Sequence, residues 1–429
     1  MSDKIKNIVV LGGGLAGCVL SYILKHENYK VTLVEMEDEV GGLCRTKEFG
    51  GIHYEFGPHV LYGKYGSKEK KFFQKFLTVK KCRFFPQLSI DGKLGNLCDF
   101  PVTAANALKI PEEDLKQAIE ELYEINLDKP SYENFREHVI SRVGKMMYKY
   151  FFENYNKKQW GIDPAHMDAE WAKFRNLSLQ KKGLGMFGNK WQGHPLSYHD
   201  LFAKLTHGIK LKKARVLNTS RHKKHIDHIM TDSGDVKGDF YISTIPIEHL
   251  FGGSGLLPYR GVVKCFYLLN SPHAMKSYVT TFPNNYSFTR IVDYRQQSQQ
   301  KHRHSLISFA FPFDAFKEGA LSIDKCNSDA RRFIRKNLKT KILHSTYVTK
   351  RYVYPISTFH NIRLFKEFLC RLSKYDNIMS VGRLGLYSYI SMDTCVKQCF
   401  KIVDSFRGWK NLNIQKRIKR YDNIRRRLA

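Results

Sequence analysis

Apolar and polar residues follow three successive patterns along the chain, and each pattern predicts a different kind of element. Near the amino terminus, short apolar runs at 8–11 and 31–34 are separated by a glycine-rich turn and a helical stretch, which is typical of a doubly wound parallel sheet. From 102 to about 205 the spacing becomes helical, and Pro111 followed by three acidic residues marks a helix start. From 216 to 310, runs of β-branched and aromatic residues predict strands.

The turn after the first strand carries the spacing Gly-x-Gly-x-x-Gly, at Gly12, Gly14 and Gly17. The first glycine permits a tight turn, the second lets the backbone approach a pyrophosphate, and the third lets the helix pack closely on the strand. Amides at the helix start would face the phosphates, where the helix dipole favours negative charge. Glu35 ends the second strand, where a carboxylate would accept hydrogen bonds from an adenosine ribose. Together these residues predict a bound dinucleotide.

A second glycine pair, Gly41-Gly42, and Arg45 follow the acidic strand almost at once. Many flavoproteins of the glutathione-reductase and amine-oxidase type carry such a pair where backbone and a basic residue approach the cofactor. Far downstream, an apolar strand ends in Gly382-Arg383, which resembles the returning strand whose Gly-Arg pair reaches the FAD pyrophosphate. Arg383 could equally be a surface charge, but its place after an apolar strand favours the functional reading. We therefore expect both chain ends to meet in one cofactor domain, with FAD favoured over NAD.

Composition is consistent with a folded protein of two or three domains. The chain has 429 residues, of which 42% are hydrophobic and 13% aromatic, and this excludes a largely disordered chain. Nine cysteines without a C-x-x-C pair argue against a disulfide framework and a zinc site, so we predict no metal. The first residues are polar and no apolar run reaches about 20 residues, so we expect neither a signal peptide nor a transmembrane segment. A cytoplasmic location is predicted.

The net charge of +31, from 71 basic and 40 acidic residues, is high. Much of it lies in three clusters, at 68–81, at 204–224 and in the tail at 406–429. The tail could contact a polyanion such as nucleic acid or an anionic membrane face. Alternatively, the basic surface keeps the protein in solution and attracts small anions. No nucleic-acid-binding module is recognisable, so polyanion contact is a secondary expectation.

Five segments form a series of distinctive motifs: Tyr155-Asn-Lys-Lys-Gln-Trp160, Trp191-Gln-Gly-His-Pro195, Phe288-Thr-Arg-Ile291, Tyr352-Val-Tyr-Pro355, and Gly382-Arg-Leu-Gly-Leu-Tyr-Ser-Tyr389 followed by Met392. Each resembles a motif of the UDP-galactopyranose mutase family, and the five occur in the same order as in that family. One such segment would be weak evidence, but five in order together with the FAD signature are specific. The resemblance extends to about residue 405.

The resemblance implies an α/β fold: a Rossmann-like FAD-binding doubly wound sheet with an inserted helical domain and an antiparallel β-sheet substrate domain. The predicted divisions are 1–100 for the FAD-binding Rossmann part, 101–205 for the helical insertion, 206–375 for β-rich substrate and FAD-domain strands, 376–405 for the C-terminal FAD-binding part, and 406–429 for the basic tail.

The activity implied by the resemblance is interconversion of the pyranose and furanose forms of a UDP-sugar, without net oxidation. In that family the flavin must be reduced, and its N5 forms an adduct with the anomeric carbon as UDP leaves, so that the cofactor carries the difficult chemistry. An external reductant such as NAD(P)H is implied, and family members are often dimers. A redox flavoenzyme of the amine-oxidase type and a non-catalytic FAD-binding relative remain as alternatives.

The resemblance also assigns site residues. His59 is placed against the flavin, and Arg290 offers a planar set of donors to a phosphate; both are assigned catalytic roles. Met392 joins the cofactor contacts. The substrate contacts are assigned to Tyr155, Trp160, Arg175, Trp191, Arg290, Tyr354 and Tyr387.

Three positions depart from the family pattern. Arg175 aligns with the first arginine of an Arg-x-x-x-Arg pair, whereas Leu179 replaces the second, which grips the diphosphate. Trp191 replaces a tyrosine, and Phe311 stands where the family carries a phosphate-binding tyrosine before a proline. Loss of one charged phosphate contact would cost about 1.5–3 kcal/mol of affinity.

Overall fold

The computed structural model of the protein describes residues 5–81, 84–125, 132–169, 179, 190–406 and 408–426. Two large sheets dominate the fold, one parallel and one mostly antiparallel. The described helices are Leu15–His26, Lys68–Phe76, Glu112–Tyr123, Phe135–Val143, Lys145–Tyr148, Asn154–Trp160, His199–Thr206, Tyr294–Gln297, Ile323–Phe333, Phe359–Leu372, Gly382–Gly385, Met392–Phe406 and Ile414–Arg426.

The parallel sheet has five strands and combines strands from the N-terminal and C-terminal parts of the chain. In spatial order they are Lys210–Lys213, Lys30–Glu35, Asn7–Leu11, Phe240–Ser243 and Ile378–Ser380. Residues 8–11 are buried because helices cover the sheet, as expected of a parallel sheet whose strands read as continuous apolar runs. The expectation that the N-terminal and C-terminal parts share one α/β unit is confirmed.

The second sheet has seven strands, and its central strands form long antiparallel pairs. In spatial order they are Ile342–Pro355, Tyr259–Leu269, Ser305–Asp314, Arg290–Asp293, Val279–Thr281, Gln87–Leu88 and Cys98–Asp99. Alternate residues point to opposite faces. One face packs with helix Ile323–Phe333 in an aromatic cluster. The opposite face, called the inner face below, carries Ala310 in the cluster shared with the helical insertion.

The helical insertion positions aromatic residues above the inner face. The predicted helix start at Pro111 is observed, since the helix Glu112–Tyr123 begins there. The helix Lys145–Tyr148 continues through a π-helical stretch, Lys149–Glu153, into Asn154–Trp160. It ends at Gly161, whose φ of +70° is left-handed and readily adopted by glycine.

Smaller antiparallel units complete the fold. Their strands are Thr46–Phe49 with Ile52–Glu55, Val216–His222 with His225–Thr231, and Trp191–Pro195 between Leu61–Gly63 and Val79–Lys81. In the described part of the chain, no helix combines the length and apolar character needed to cross a membrane.

Part of the predicted basic tail is a packed helix, Ile414–Arg426. Arg417 is buried within it and donates to the carbonyl oxygens of Ser373, Tyr375 and Lys410 at 3.1, 2.7 and 3.2 Å. At least one cation of the tail therefore stabilises the fold and is unavailable to a polyanion.

Candidate active site

The first glycine loop leaves space at the start of helix Leu15–His26. A Cβ atom on Gly17 would lie 1.8 Å from the carbonyl oxygen of Gly12, so that close packing requires glycine. A Cβ on Gly14 would meet nothing within 4 Å, and no side chain caps this helix. Free amides beside an open space are suited to a phosphate group.

The second glycine pair packs directly against the first loop. The amide of Gly41 donates to the carbonyl oxygen of Gly13 at 2.7 Å, and a Cβ on Gly42 would lie 3.2 Å from the Cα of Gly14. Glu35 also holds the first glycine loop, since its Oε2 accepts a hydrogen bond from the Gly13 amide at 2.5 Å. These residues form one cradle.

Arg45 supports this cradle from within its own loop. Its Nε donates to the carbonyl oxygen of Val40 at 3.0 Å, and Nη1 donates to Glu37 at 2.9 Å. Nη2 also donates to the carbonyl oxygen of Glu39. The structure thus places Arg45 in a loop-shaping role, and direct contact with a cofactor remains a prediction.

The C-terminal motif reaches the same helix start. Gly382 has a φ of +83°, and a Cβ there would lie 3.0 Å from the Cβ of Ala16. Arg383 donates to the carbonyl oxygen of Ile390 at 2.6 Å, and Met392 is buried at the beginning of the following helix. The structure therefore brings the N-terminal and C-terminal cofactor motifs together.

His59 lies between this cradle and the inner face of the second sheet. Burial, followed by the charges of Arg383 and Lys264, lowers the pKa of His59 well below its ordinary value. The backbone carbonyl oxygen of His59 accepts from the Tyr198 hydroxyl at 2.9 Å. Its Nδ1 is buried without a hydrogen-bond partner in the described chain. A neutral imidazole with an unused nitrogen is available to a bound group.

The depressed pKa of His59 predicts a specific loss of stability in mild acid. Below the ordinary histidine pKa of 6.5, His59 takes up a proton in the unfolded chain but not in the folded protein. The free energy of unfolding therefore decreases as the pH falls. Between pH 6.5 and 5.5 this proton should cost about 1 kcal/mol. Urea unfolding at both pH values should show a decrease smaller by that amount in His59→Gln. Equal decreases in the two proteins would contradict the assignment.

Arg290 and three aromatic residues form a cluster on the inner face, the arginine–aromatic cluster: Trp160, Arg290, Tyr354 and Tyr389. Arg290 Nη2 donates to the Tyr354 hydroxyl at 2.5 Å. The Tyr354 ring lies 5.8 Å from that of Trp160 and 5.1 Å from that of Tyr389. These residues come from one helix, two strands and a loop, and only the tertiary fold joins them.

The cluster contains hydrogen-bond donors that are suited to binding an anion. Arg290 Nε is buried and has no hydrogen-bond partner among the described residues, and an unpaired buried donor of this kind is costly. Burial raises the pKa of the Tyr354 phenol, so it keeps its proton. Tyr155 lies within electrostatic reach of Arg290. Guanidinium and phenol donors facing one place are suited to a phosphate.

Tyr387 lies outside this cluster, and its assignment as a substrate contact remains a prediction. It is fully buried, and its hydroxyl binds the carbonyl oxygens of Pro258 and Ile356 at 2.5 and 3.1 Å. Tyr389, two residues later in the same motif, belongs to the cluster, and the guanidinium of Arg383 lies 4.9 Å from its ring centroid. The motif contained both tyrosines, but the sequence did not show which faced the site.

Other assigned positions fall elsewhere. Trp191 is buried in the core cluster around the parallel sheet, where the ammonium of Lys70 lies 5.0 Å from its ring. Phe311 points to the face opposite Arg290 and joins the aromatic cluster there, so its lack of a hydroxyl removes no contact from the inner face. Leu179 packs against the cluster of the helical insertion. Arg175 lies outside the described residues.

Lys158 joins the helix that carries Trp160 to the loop that precedes Arg290. Its ammonium donates to the carbonyl oxygens of Phe282, Tyr286 and Phe288 at 2.6, 2.9 and 3.2 Å. Burial lowers the pKa of Lys158 to about 8. This lysine therefore positions two parts of the cluster relative to each other.

Replacement of Lys158 by methionine should destabilise the protein by about 3 kcal/mol, because three carbonyl oxygens lose their donor. Lys157→Met is the matched control, since that exposed lysine pairs with Glu153 one helical turn away and its loss should cost about 0.5 kcal/mol or less. Urea unfolding of both variants measures the difference. Similar losses would show that the three hydrogen bonds contribute little.

Sequence reasoning missed Lys264, which lies on the inner face near His59. The residue is 1% exposed, and it interrupts the otherwise apolar run from 262 to 269. That interruption was the available signal, because lysine is rarely fully buried without a functional or structural partner.

The chain is similar to known proteins over most of its length. A family model described as UDP-galactopyranose mutase matches residues 150–389, more than half of the chain, and a model of an NAD(P)-binding Rossmann-like domain matches residues 10–76. A dTDP-fucopyranose mutase from Escherichia coli is 22% identical over 414 residues, covering 92% of this chain and 96% of that protein. A UDP-galactopyranose mutase from Mycoplasma pneumoniae is 23% identical over 416 residues, covering 91% and 94%.

Solved structures show the same fold at low identity. A crystal structure of reduced UDP-galactopyranose mutase superposes with a TM-score of 0.80 at 18% identity, covering 98% of this chain and 99% of that one. A putrescine oxidase variant gives a TM-score of 0.61 at 12% identity, covering 94% and 99%.

Proposed function

The chain belongs to the UDP-galactopyranose mutase family, and from this premise we propose that it interconverts the pyranose and furanose forms of a nucleotide-diphosphate sugar. The observation that carries the proposal is the partly buried pair of Arg290 and Tyr354 beside Trp160. It offers guanidinium and phenol donors to a diphosphate and an aromatic face to a base or sugar. The enzyme is an isomerase, so substrate and product have the same oxidation state.

A flavin suits the residues of the cradle. The open space at Gly14, the uncapped helix start and the close approach of Gly382 would hold the pyrophosphate of FAD, and Glu35 lies where the ribose would bind. Reduced FAD supplies a nucleophile when bound. Neutral His59, with its unpartnered Nδ1, would lie against the ring and orient it without adding a charge.

The residues of this chain then perform three tasks. Arg290 holds the diphosphate through substrate binding and departure of the nucleotide, and its charge stabilises the negative charge that develops on the leaving phosphate. Tyr354 fixes the guanidinium and can donate its own proton in a hydrogen bond to the same group. The apolar surroundings of Trp160 exclude water, which would otherwise hydrolyse the activated sugar.

The nucleotide is either a uridine or a thymidine diphosphate, because relatives named for each sugar nucleotide cover the chain to a similar extent. We propose the uridine compound as substrate, in line with the family model. An external reductant such as NAD(P)H, a homodimer and a cytoplasmic location complete the proposal.

The test is to purify the protein with FAD, reduce the flavin with dithionite, and supply UDP-galactopyranose or dTDP-fucopyranose separately. Chromatography of each nucleotide sugar then follows formation of the furanose. Turnover that requires reduced flavin is the expected result. Oxygen-dependent turnover of an amine by the oxidised protein, without interconversion of either sugar, would favour the amine-oxidase-type alternative and contradict the proposal.

A further inference from the structure

A buried lysine beside the site, Lys264, has no role in the function proposed so far. Its ammonium donates to the Tyr294 hydroxyl at 2.8 Å and to Ser308 Oγ at 3.3 Å. Among the described residues no carboxylate forms an ion pair with it. An ammonium held by two neutral hydroxyls keeps most of its charge uncompensated, and this is costly in a buried place.

The strand register places Lys264 in the same row as Arg290. Both residues pair with Ala310, from the neighbouring strands on its two sides. Directly opposed residues of an antiparallel pair point to the same face, and neighbouring strands are about 4.8 Å apart. The two cations therefore flank a single methyl group on the inner face, about 10 Å apart along the row.

Lys264 lies on the His59 side of this row. Its ammonium is 5.9 Å from the ring centroid of Phe56, which precedes His59 by three residues in the same loop. Its charge acts on His59. Burial and the charge of Arg290 lower the pKa of Lys264 well below its ordinary value, whereas Glu55 acts in the opposite direction. Arg383, Lys264, His194 and Arg290 thus all act electrostatically on His59, and Glu55 acts on Lys264.

We propose that Lys264 is the electrostatic partner of the reduced flavin and stabilises the negative charge that the ring carries after reduction. Two electrons and one proton from an external donor convert FAD to an anion with one extra negative charge. In the proposed function Arg290 binds the diphosphate. Lys264 is therefore the cation of this row that interacts with the flavin ring. The inference rests on the proposed function, from which it takes the position of the flavin beside His59.

The test is the reduction potential of the bound flavin, measured by equilibrium titration with an indicator dye. In Lys264→Met and Lys264→Gln, the equilibrium constant for two-electron reduction should fall at least tenfold, which corresponds to about 30 mV. The matched control is Lys149→Met. It removes the same charge from the helical insertion, but that exposed ammonium is already paired with Asp114, so we expect a change smaller than threefold.

Wild-type potentials in both Lys264 variants, with one FAD per chain retained, would overturn the inference. If these variants do not fold, Tyr294→Phe removes the closer hydroxyl that holds the ammonium, and it should lower the potential in the same direction. An unchanged potential in Tyr294→Phe would then overturn it. If the wild-type protein interconverts the sugar while all variants keep the wild-type reduction potential, only this inference is contradicted. If the wild-type protein binds no flavin, the proposed function itself is contradicted.

Discussion

Replacing Arg290 with methionine should lower kcat/KM for the nucleotide sugar about 100-fold or more. The guanidinium is positioned by Tyr354 and has a buried Nε without a partner. Loss of a charged hydrogen bond costs about 1.5–3 kcal/mol, and a diphosphate can accept two from one guanidinium. Steady-state kinetics with reduced enzyme, together with binding of UDP to the oxidised protein, would measure the effect on turnover and on ground-state binding separately.

Two further variants make the Arg290 result specific. Arg290→Lys keeps the charge without the planar arrangement of donors, so it should recover part of the loss. Arg332→Met removes an exposed arginine that pairs with Asp329 on the far helix, and it should leave kinetics within twofold of wild type. If Arg290→Met retained wild-type UDP affinity and turnover, the assigned substrate site would be wrong.

Replacing Gly17 with alanine should prevent stable folding of the cofactor domain, at a cost of about 4 kcal/mol or more. The new Cβ would lie 1.8 Å from the carbonyl oxygen of Gly12. The atom it meets belongs to the backbone of the tight turn, so no side-chain rotation relieves the overlap. The helix would have to move away from the strand. Thermal unfolding and the yield of folded protein would measure the loss.

Gly14→Ala is the matched control, because its Cβ would meet nothing within 4 Å and its φ of −71° suits alanine. Its folding stability should equal or exceed that of wild type by up to about 1 kcal/mol. FAD affinity should nevertheless fall, since the methyl group would enter the space proposed for the pyrophosphate. Normal FAD affinity in Gly14→Ala would contradict this placement of the cofactor, while a stable Gly17→Ala would contradict the packing argument.

The positions of individual side chains were less predictable than the motifs that contain them. Within one segment, Tyr387 supports the backbone and Tyr389 faces the arginine–aromatic cluster. Phe311 points away from Arg290. Its neighbour in the same strand, Ala310, pairs directly with Arg290 across the two strands. Alternate residues of a strand point to opposite faces of the sheet, but the sequence does not show which of the two faces lies at the site.

The sequence by itself determined the cofactor cradle, the parallel sheet and the family. Glycine spacing, apolar strand runs and the acidic end of the second strand act within about 30 residues, so local backbone geometry and phosphate chemistry suffice to interpret them. Only the tertiary structure decided that Trp160, Arg290, Tyr354 and Tyr389 share one cluster, and that Lys264 stands in the same row as Arg290. These contacts join distant segments, and their geometry depends on strand register and on how the helical insertion packs against the inner face.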